Sequence, residues 1–185
     1  MYFMLECLSP AKGYIAAVEH RDDDPMRCWN CAERFEKPPP VPLRPKLRMR
    51  RDSVLAEMWK APLPLMTQRL HQALLACGVA NLDVYSAVLL DPRSGQEYTN
   101  YVAFNLIGAV AAADLRESKH SAPDGPMISV DFDSLVIDEN RTRGALMFRL
   151  AEAVNGIVVH ESVKQGIEAS GIDTLTFIPP EKWAG

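Results

Sequence analysis

Apolar residues recur at intervals of three and four through PLMTQRLHQALLACG, residues 64–78. Met66, Leu70, Ala73, Leu74 and Cys77 then share one face of a helix. Pro64 suits its first turn and Gly78 the position just past its end, so the spacing predicts a helix over 64–77. ESVKQGIEASG, residues 161–171, repeats the pattern with Val163, Ile167 and Ala169, and Gly171 as the stop.

Elsewhere the period shortens to two. NLDVYSAVLLD predicts a strand of about seven residues. Val84, Ser86 and Val88 lie on one face, Tyr85, Ala87 and Leu89 on the other. DPRSGQ has turn chemistry. YVAFNLIGAVAA, residues 101–112, carries no charge and predicts a central strand through about Val110, covered on both faces. Gly108 would allow a close approach by another element. SLVID and GIVVH predict short strands, and TLTFIPP a last one closed by prolines. ALMFRLAEA fits either state. The N-terminal MYFMLECL and GYIAAVEH are also strand-like.

The expectation is an α+β fold with a mixed, largely antiparallel sheet flanked by a few helices. EKPPPVPLRPK reads as an extended connector. It suggests two regions: a strand-rich N-terminal segment over 1–50, and an α+β domain over 51–185.

With 185 residues, 48% of them hydrophobic, the chain can bury a core. A domain this size hides about 70% of the surface that its unfolded chain exposes. The net charge of −4 argues against nucleic acid as the partner, since such binding rests on clustered Lys and Arg. The opening residues lack a basic region and a small-residue cleavage site, so no signal peptide is expected. The uncharged run after Tyr101 is shorter than the roughly 18 residues of a membrane span. A cytoplasmic protein without a membrane partner is the expectation.

Several clusters offer chemistry. Cys28-Trp29-Asn30-Cys31 has zinc-knuckle spacing, and Cys7 and His20 could complete a tetrahedral set. The same spacing serves redox chemistry when it opens a helix after a strand. A protein needing no cofactor is the simpler expectation, with Cys28 and Cys31 as ordinary residues beside a packing tryptophan. Asp114, Glu117 and His120 stand three apart and would share a helical face. They are the candidates for a small metal-dependent enzyme. The alternative is a polar strand exit, Asp114 to Ser118, anchoring a loop by side-chain to backbone hydrogen bonds. Ser162 beside His160 suits a helix cap better than a nucleophile. Asp131, Asp133, Asp138 and Glu139 flank SLVID, and Asp22 to Asp24 form a second acidic group. The first set would steer and orient a basic partner. There is no GxGxxG, no P-loop, no H-E-x-x-H and no G-x-S-x-G.

The order of segments also resembles a known family. Helix 64–77 leads into Gly78-Val79-x-Asn81-Leu82 and a strand. Asn105-Leu106-Ile107-Gly108 follows, then Asp114-x-x-x-Ser118. The tail has Phe148-Arg149-Leu150-x-Glu152, Val158-x-x-Glu161-Ser162, a helix, Gly171-Ile172 and Phe177-Ile178-Pro179. Together these resemble the immunity proteins of bacterial polymorphic toxin systems, of the myxobacterial swarm-incompatibility type, over residues 62–180. The resemblance implies a non-enzymatic cytoplasmic protein that binds and neutralises a cognate toxin. It carries over no catalytic residues.

Overall fold

A computed structural model of the chain describes residues 1–121 and 130–185. The strands run β1 (Tyr2–Glu6), β2 (Tyr14–Ile15), β3 (Ala17–Glu19), β4 (Lys46–Arg48), β5 (Ser53–Val54), β6 (Met58–Trp59) and β7 (Leu65–Thr67) before helix α1 (Gln68–Ala76). Next come β8 (Leu82–Leu90), β9 (Glu97–Leu106), β10 (Ala109–Val110), β11 (Lys119–Ser121) and β12 (Asp131–Ser134). After α2 (Glu139–Thr142), β13 (Met147–Leu150) and β14 (Ala153–His160) precede α3 (Glu161–Ala169) and β15 (Thr176–Ile178). Among the described residues no helix is long and apolar enough to cross a membrane.

The fold is mostly strand with few helices, and its sheets are mixed, in line with the α+β expectation. Two larger sheets replace the single one expected. One has six strands in the order β3-β4-β8-β9-β7-β6, the other five in the order β10-β13-β14-β1-β15. Most pairs are antiparallel; β4–β8 and β10–β13 are parallel.

The β8–β9 hairpin is the spine of the first sheet, paired from Leu82↔Leu106 to Leu90↔Glu97 with a one-residue register shift between Ala87 and Leu89. Its turn is closed by Asp91, which accepts from the Arg93 N–H at 3.0 Å and the Ser94 hydroxyl at 2.6 Å. The Ser94 hydrogen bond, first among its contacts, holds the Asp91 carboxyl below its usual range. Tyr101 and Ala103 of β9 enter one core cluster while Phe104 and Leu106 enter another. β9 is therefore covered on both faces, as an uncharged run requires.

The run does not continue as one strand to Val110. It breaks at Ile107–Gly108 and resumes as β10 in the other sheet, in register with β13 at Ala109↔Arg149. Gly108 makes the crossing possible because its φ is +101°, which other residues rarely adopt. A side chain there would meet nothing within 4 Å, so close approach is not its reason.

Helices α1 and α3 pack together between the two sheets. Leu70 and Leu74 of α1, Val163 and Ile167 of α3, Phe104 of β9 and Ile157 of β14 form one cluster, each fully buried. Each such side chain contributes about 1.5–3 kcal/mol of burial, an upper figure for a partly compact unfolded chain. Helix α1 starts at Gln68, later than its apolar period suggests. Leu65–Thr67 instead bond to β9, with Leu65 opposite Ala103. Thr67 then caps the helix, its hydroxyl oxygen accepting from the Leu70 N–H at 3.2 Å. Ala169 of α3 is exposed rather than part of its apolar face.

Residues 1–50 do not form a sheet of their own. β1 lies between β14 and β15, and β3 and β4 complete the six-stranded sheet. SLVID is also not a strand. The ladder ends at Ser134, and Ile137 makes only an isolated bridge to Ala113. The Leu135 N–H turns to the Pro180 carbonyl and the Val136 N–H to the Ser118 hydroxyl, which ends the pairing.

Candidate partner-binding surface

β11 and β12 form a two-stranded antiparallel ribbon over the outer face of the five-stranded sheet. Along β12 the side chains alternate. Phe132 is buried near Trp183, while Asp131 and Asp133 are exposed on the opposite side. The C-terminal residues hold this strand: the Phe132 N–H donates to the Gly185 carbonyl at 2.7 Å, and the Gly185 N–H returns to the Phe132 carbonyl at 3.2 Å.

Asp138 and Glu139 follow. Asp138 caps α2, accepting from the Asn140 N–H at 3.0 Å, and pairs with Arg141 at 3.1 Å. Glu139 reaches the Met1 ammonium at 3.4 Å. It lines a notch of about 220 Å³ together with Leu135, Ile137 and Glu181. Of the four acidic residues, Asp138 is thus committed to its own helix, and Glu139 holds an exposed, weak pair. Asp131 and Asp133 take part in no ion pair among the described residues. Lys119 on the neighbouring strand, opposite Ser134, places one positive charge at the border. Exposed carboxylates of this kind attract and orient cationic groups.

The second acidic group is engaged within its own loop. Asp22 binds the Trp29 indole N–H at 2.7 Å and the Arg27 guanidinium, while Asp24 accepts from the Met26 N–H at 2.9 Å. Arg27 also bonds Asp23 and holds that carboxyl below its ordinary range.

Asp114, Glu117 and His120 lie on a turn and a strand, not on a helix. Asp114 accepts from the Arg116 N–H at 3.0 Å through its side chain and from the Ser118 N–H at 2.9 Å through its carbonyl. His120 Nε2 donates to the Leu115 carbonyl at 3.2 Å. Backbone groups thus occupy Asp114 and His120. Among the described residues no three His, Cys, Asp or Glu side chains converge to hold a metal.

Cys28 and Cys31 are joined in a disulfide, and in this state neither sulfur is a thiolate that can ligate zinc. Cys7 lies elsewhere, its thiol directed at the Thr174 carbonyl at 3.9 Å, and His20 sits beside Asp22. Ser162 bonds the His160 ring at 2.8 Å, and it is His160, not the serine, that caps α3 by accepting from the Ser162 N–H.

Two buried charges escaped the sequence reading. Arg149 of β13 is fully buried with no carboxylate partner among the described residues; burial alone lowers its pKa to about 10. Its Nη1 donates to the Val154 carbonyl at 2.7 Å and its Nη2 to the Trp29 carbonyl at 3.4 Å. An arginine inside the apolar LMFRL was the available signal. Glu57, 5% exposed, binds Arg69 through both oxygens and accepts from the Thr67 hydroxyl. Nothing in the local sequence marks that pair.

A search among curated proteins finds no match. A family model does match: Immunity protein family (Imm11), over residues 7–182. The match begins well before residue 62 and so takes in β2 to β6, although β1 lies outside it.

Proposed function

Because this chain belongs to the Imm11 immunity protein family, we propose that it binds a cognate bacterial toxin in the cytoplasm of the producing cell and neutralises it by covering the toxin's active surface. The observation that carries this reading is the extent of the match, which leaves only the first six and last three of the 185 residues outside. The role asks for a rigid surface rather than a reactive centre, and it needs no cofactor. Three buried clusters built around two sheets and two helices supply that rigidity.

The docking face we propose is the β12 ribbon with its flank: Asp131 and Asp133 at the centre, Glu139 and the exposed side of Asp138 beside them. A toxin that handles a polyanion has a basic cleft, and exposed carboxylates on a clamped strand would meet it with little ordering cost. Such charges act more on the association rate than on the final affinity.

The test is co-expression with the toxin domains that the host genome encodes, any beside this gene first. Growth should be rescued, and the two proteins should co-purify. Neither rescue nor complex would refute the reading. Asp131→Lys with Asp133→Lys should slow association; unchanged association would move the face elsewhere and leave the function standing.

A further inference from the structure

The segment Cys28–Glu33 sits where the two large sheets meet, and three of its carbonyls are taken by three different parts of the fold. The Trp29 carbonyl accepts from Arg149 of the five-stranded sheet at 3.4 Å. The Ala32 carbonyl accepts from the Gly108 N–H, at the crossing between sheets, at 2.8 Å. The Glu33 carbonyl accepts from the Asn105 side chain of the six-stranded sheet at 2.7 Å. Arg149 and Asn105 are both fully buried. Losing these acceptors would leave buried donors unpaired, which is costly.

The segment follows no regular ladder. Ala32 holds a left-handed φ of +59°, a conformation a residue with a Cβ rarely adopts. Trp29, 6% exposed, is wedged against Phe35 and Tyr85. What closes the segment covalently is the Cys28–Cys31 disulfide, and both of its cysteines are exposed. They line a cavity of about 400 Å³ whose wall includes Phe35, Lys37 and Met26, the last 86% exposed. A buried joint is thus tied by a bond that solvent can reach.

We propose that Cys28–Cys31 is a redox-reactive site which takes a small dithiol or a protein dithiol as its reductant, and that its reduction loosens the joint between the sheets. The reductant's thiolate attacks one cysteine sulfur, the Cys28–Cys31 bond breaks, and the other sulfur leaves as a thiolate. The reductant's second thiol then attacks the mixed disulfide and releases the first sulfur. The protein gains two electrons and two protons, and the dithiol becomes a disulfide. This inference is independent of the toxin reading, since it is tested on the protein alone.

The experiment treats native, folded protein with dithiothreitol, maps thiols by alkylation and peptide mass, and follows melting and amide exchange. Reduction without denaturant is expected at Cys28 and Cys31. It should lower the melting temperature by about 4–8 °C for so short a loop. It should speed exchange of the Gly108 amide, and oxidised glutathione should reverse both effects. Cys28→Ser with Cys31→Ser should melt at the lower temperature and ignore dithiothreitol; the wild-type reading stands without this variant. Reduction only after unfolding would overturn the proposal. So would reduction that leaves melting and the Gly108 amide unchanged, or two thiols that oxidised glutathione cannot join.

Discussion

Gly166 faces Cys77 across the α1–α3 contact, and a Cβ at that position would lie well under 3.0 Å from the Cys77 sulfur. Carbon contacts normally settle at about 3.5–4.0 Å, so more than half an ångström must be recovered by moving a sulfur or a helix. The Cys77 backbone is pinned by its N–H bond to the Ala73 carbonyl at 3.0 Å, and its sulfur is packed towards the Val163 carbonyl. Overpacking of this kind costs about 1–3 kcal/mol. Against it stands the helix preference for alanine over glycine, worth about 1 kcal/mol. Gly166→Ala should therefore lower stability by about 1 kcal/mol in the native sequence. In a Cys77→Ala background the sulfur is gone, and the same change should raise stability by up to about 1 kcal/mol. The difference between the two effects is the coupling energy of a double-mutant cycle. Urea unfolding with unchanged m-value reads it directly. If Gly166→Ala raises the urea midpoint equally in both backgrounds, the steric argument is wrong.

Three further outcomes follow from other parts of the molecule. Arg69→Met strands Glu57 in a site where it is 5% exposed and should cost about 3 kcal/mol; Glu57→Gln, which returns Arg69 to solvent, should cost about half as much in the same denaturation assay. His20 and His71 both have pKa values lowered from 6.5 by burial, which at His20 outweighs Asp22 and Asp23. The unfolded chain then binds protons first as pH falls through about 6.5, so stability should drop between pH 7 and 5; His20→Asn with His71→Gln should flatten that slope, and an unaltered slope would contradict it. Asp131→Lys with Asp133→Lys should slow capture of the toxin about tenfold at low salt and weaken the salt dependence, measured by stopped-flow mixing.

Much of the secondary structure was legible because it follows local periodicity. The apolar faces of 64–77 and 161–171, the β8–β9 hairpin around DPRSGQ and the double covering of YVAF were all in the pattern. The misreadings share one cause. Leu65–Thr67 became strand because β9 offered a free ladder beside it. SLVID lost its ladder because its N–H groups found Pro180 and Ser118, residues distant in sequence. Asp114 and His120 are spent on turn hydrogen bonds that spacing alone does not reveal. For the candidate face, the sequence supplied the carboxylates but not which of them were already occupied.

Composition and periodicity by themselves determined that this chain buries a core, and the order of its motifs pointed to the immunity family to which it belongs. Those properties reside in consecutive residues, and a pattern is enough to read them. Only the tertiary structure decided that the uncharged run after Tyr101 crosses from one sheet to another at Gly108, that the first strand closes the sheet of the last, and that the segment Cys28–Glu33 is held by Arg149, Gly108 and Asn105. Each of these depends on pairings between residues far apart in the chain. Backbone donors and acceptors are satisfied by whichever partner the whole fold brings near, and no local rule names that partner.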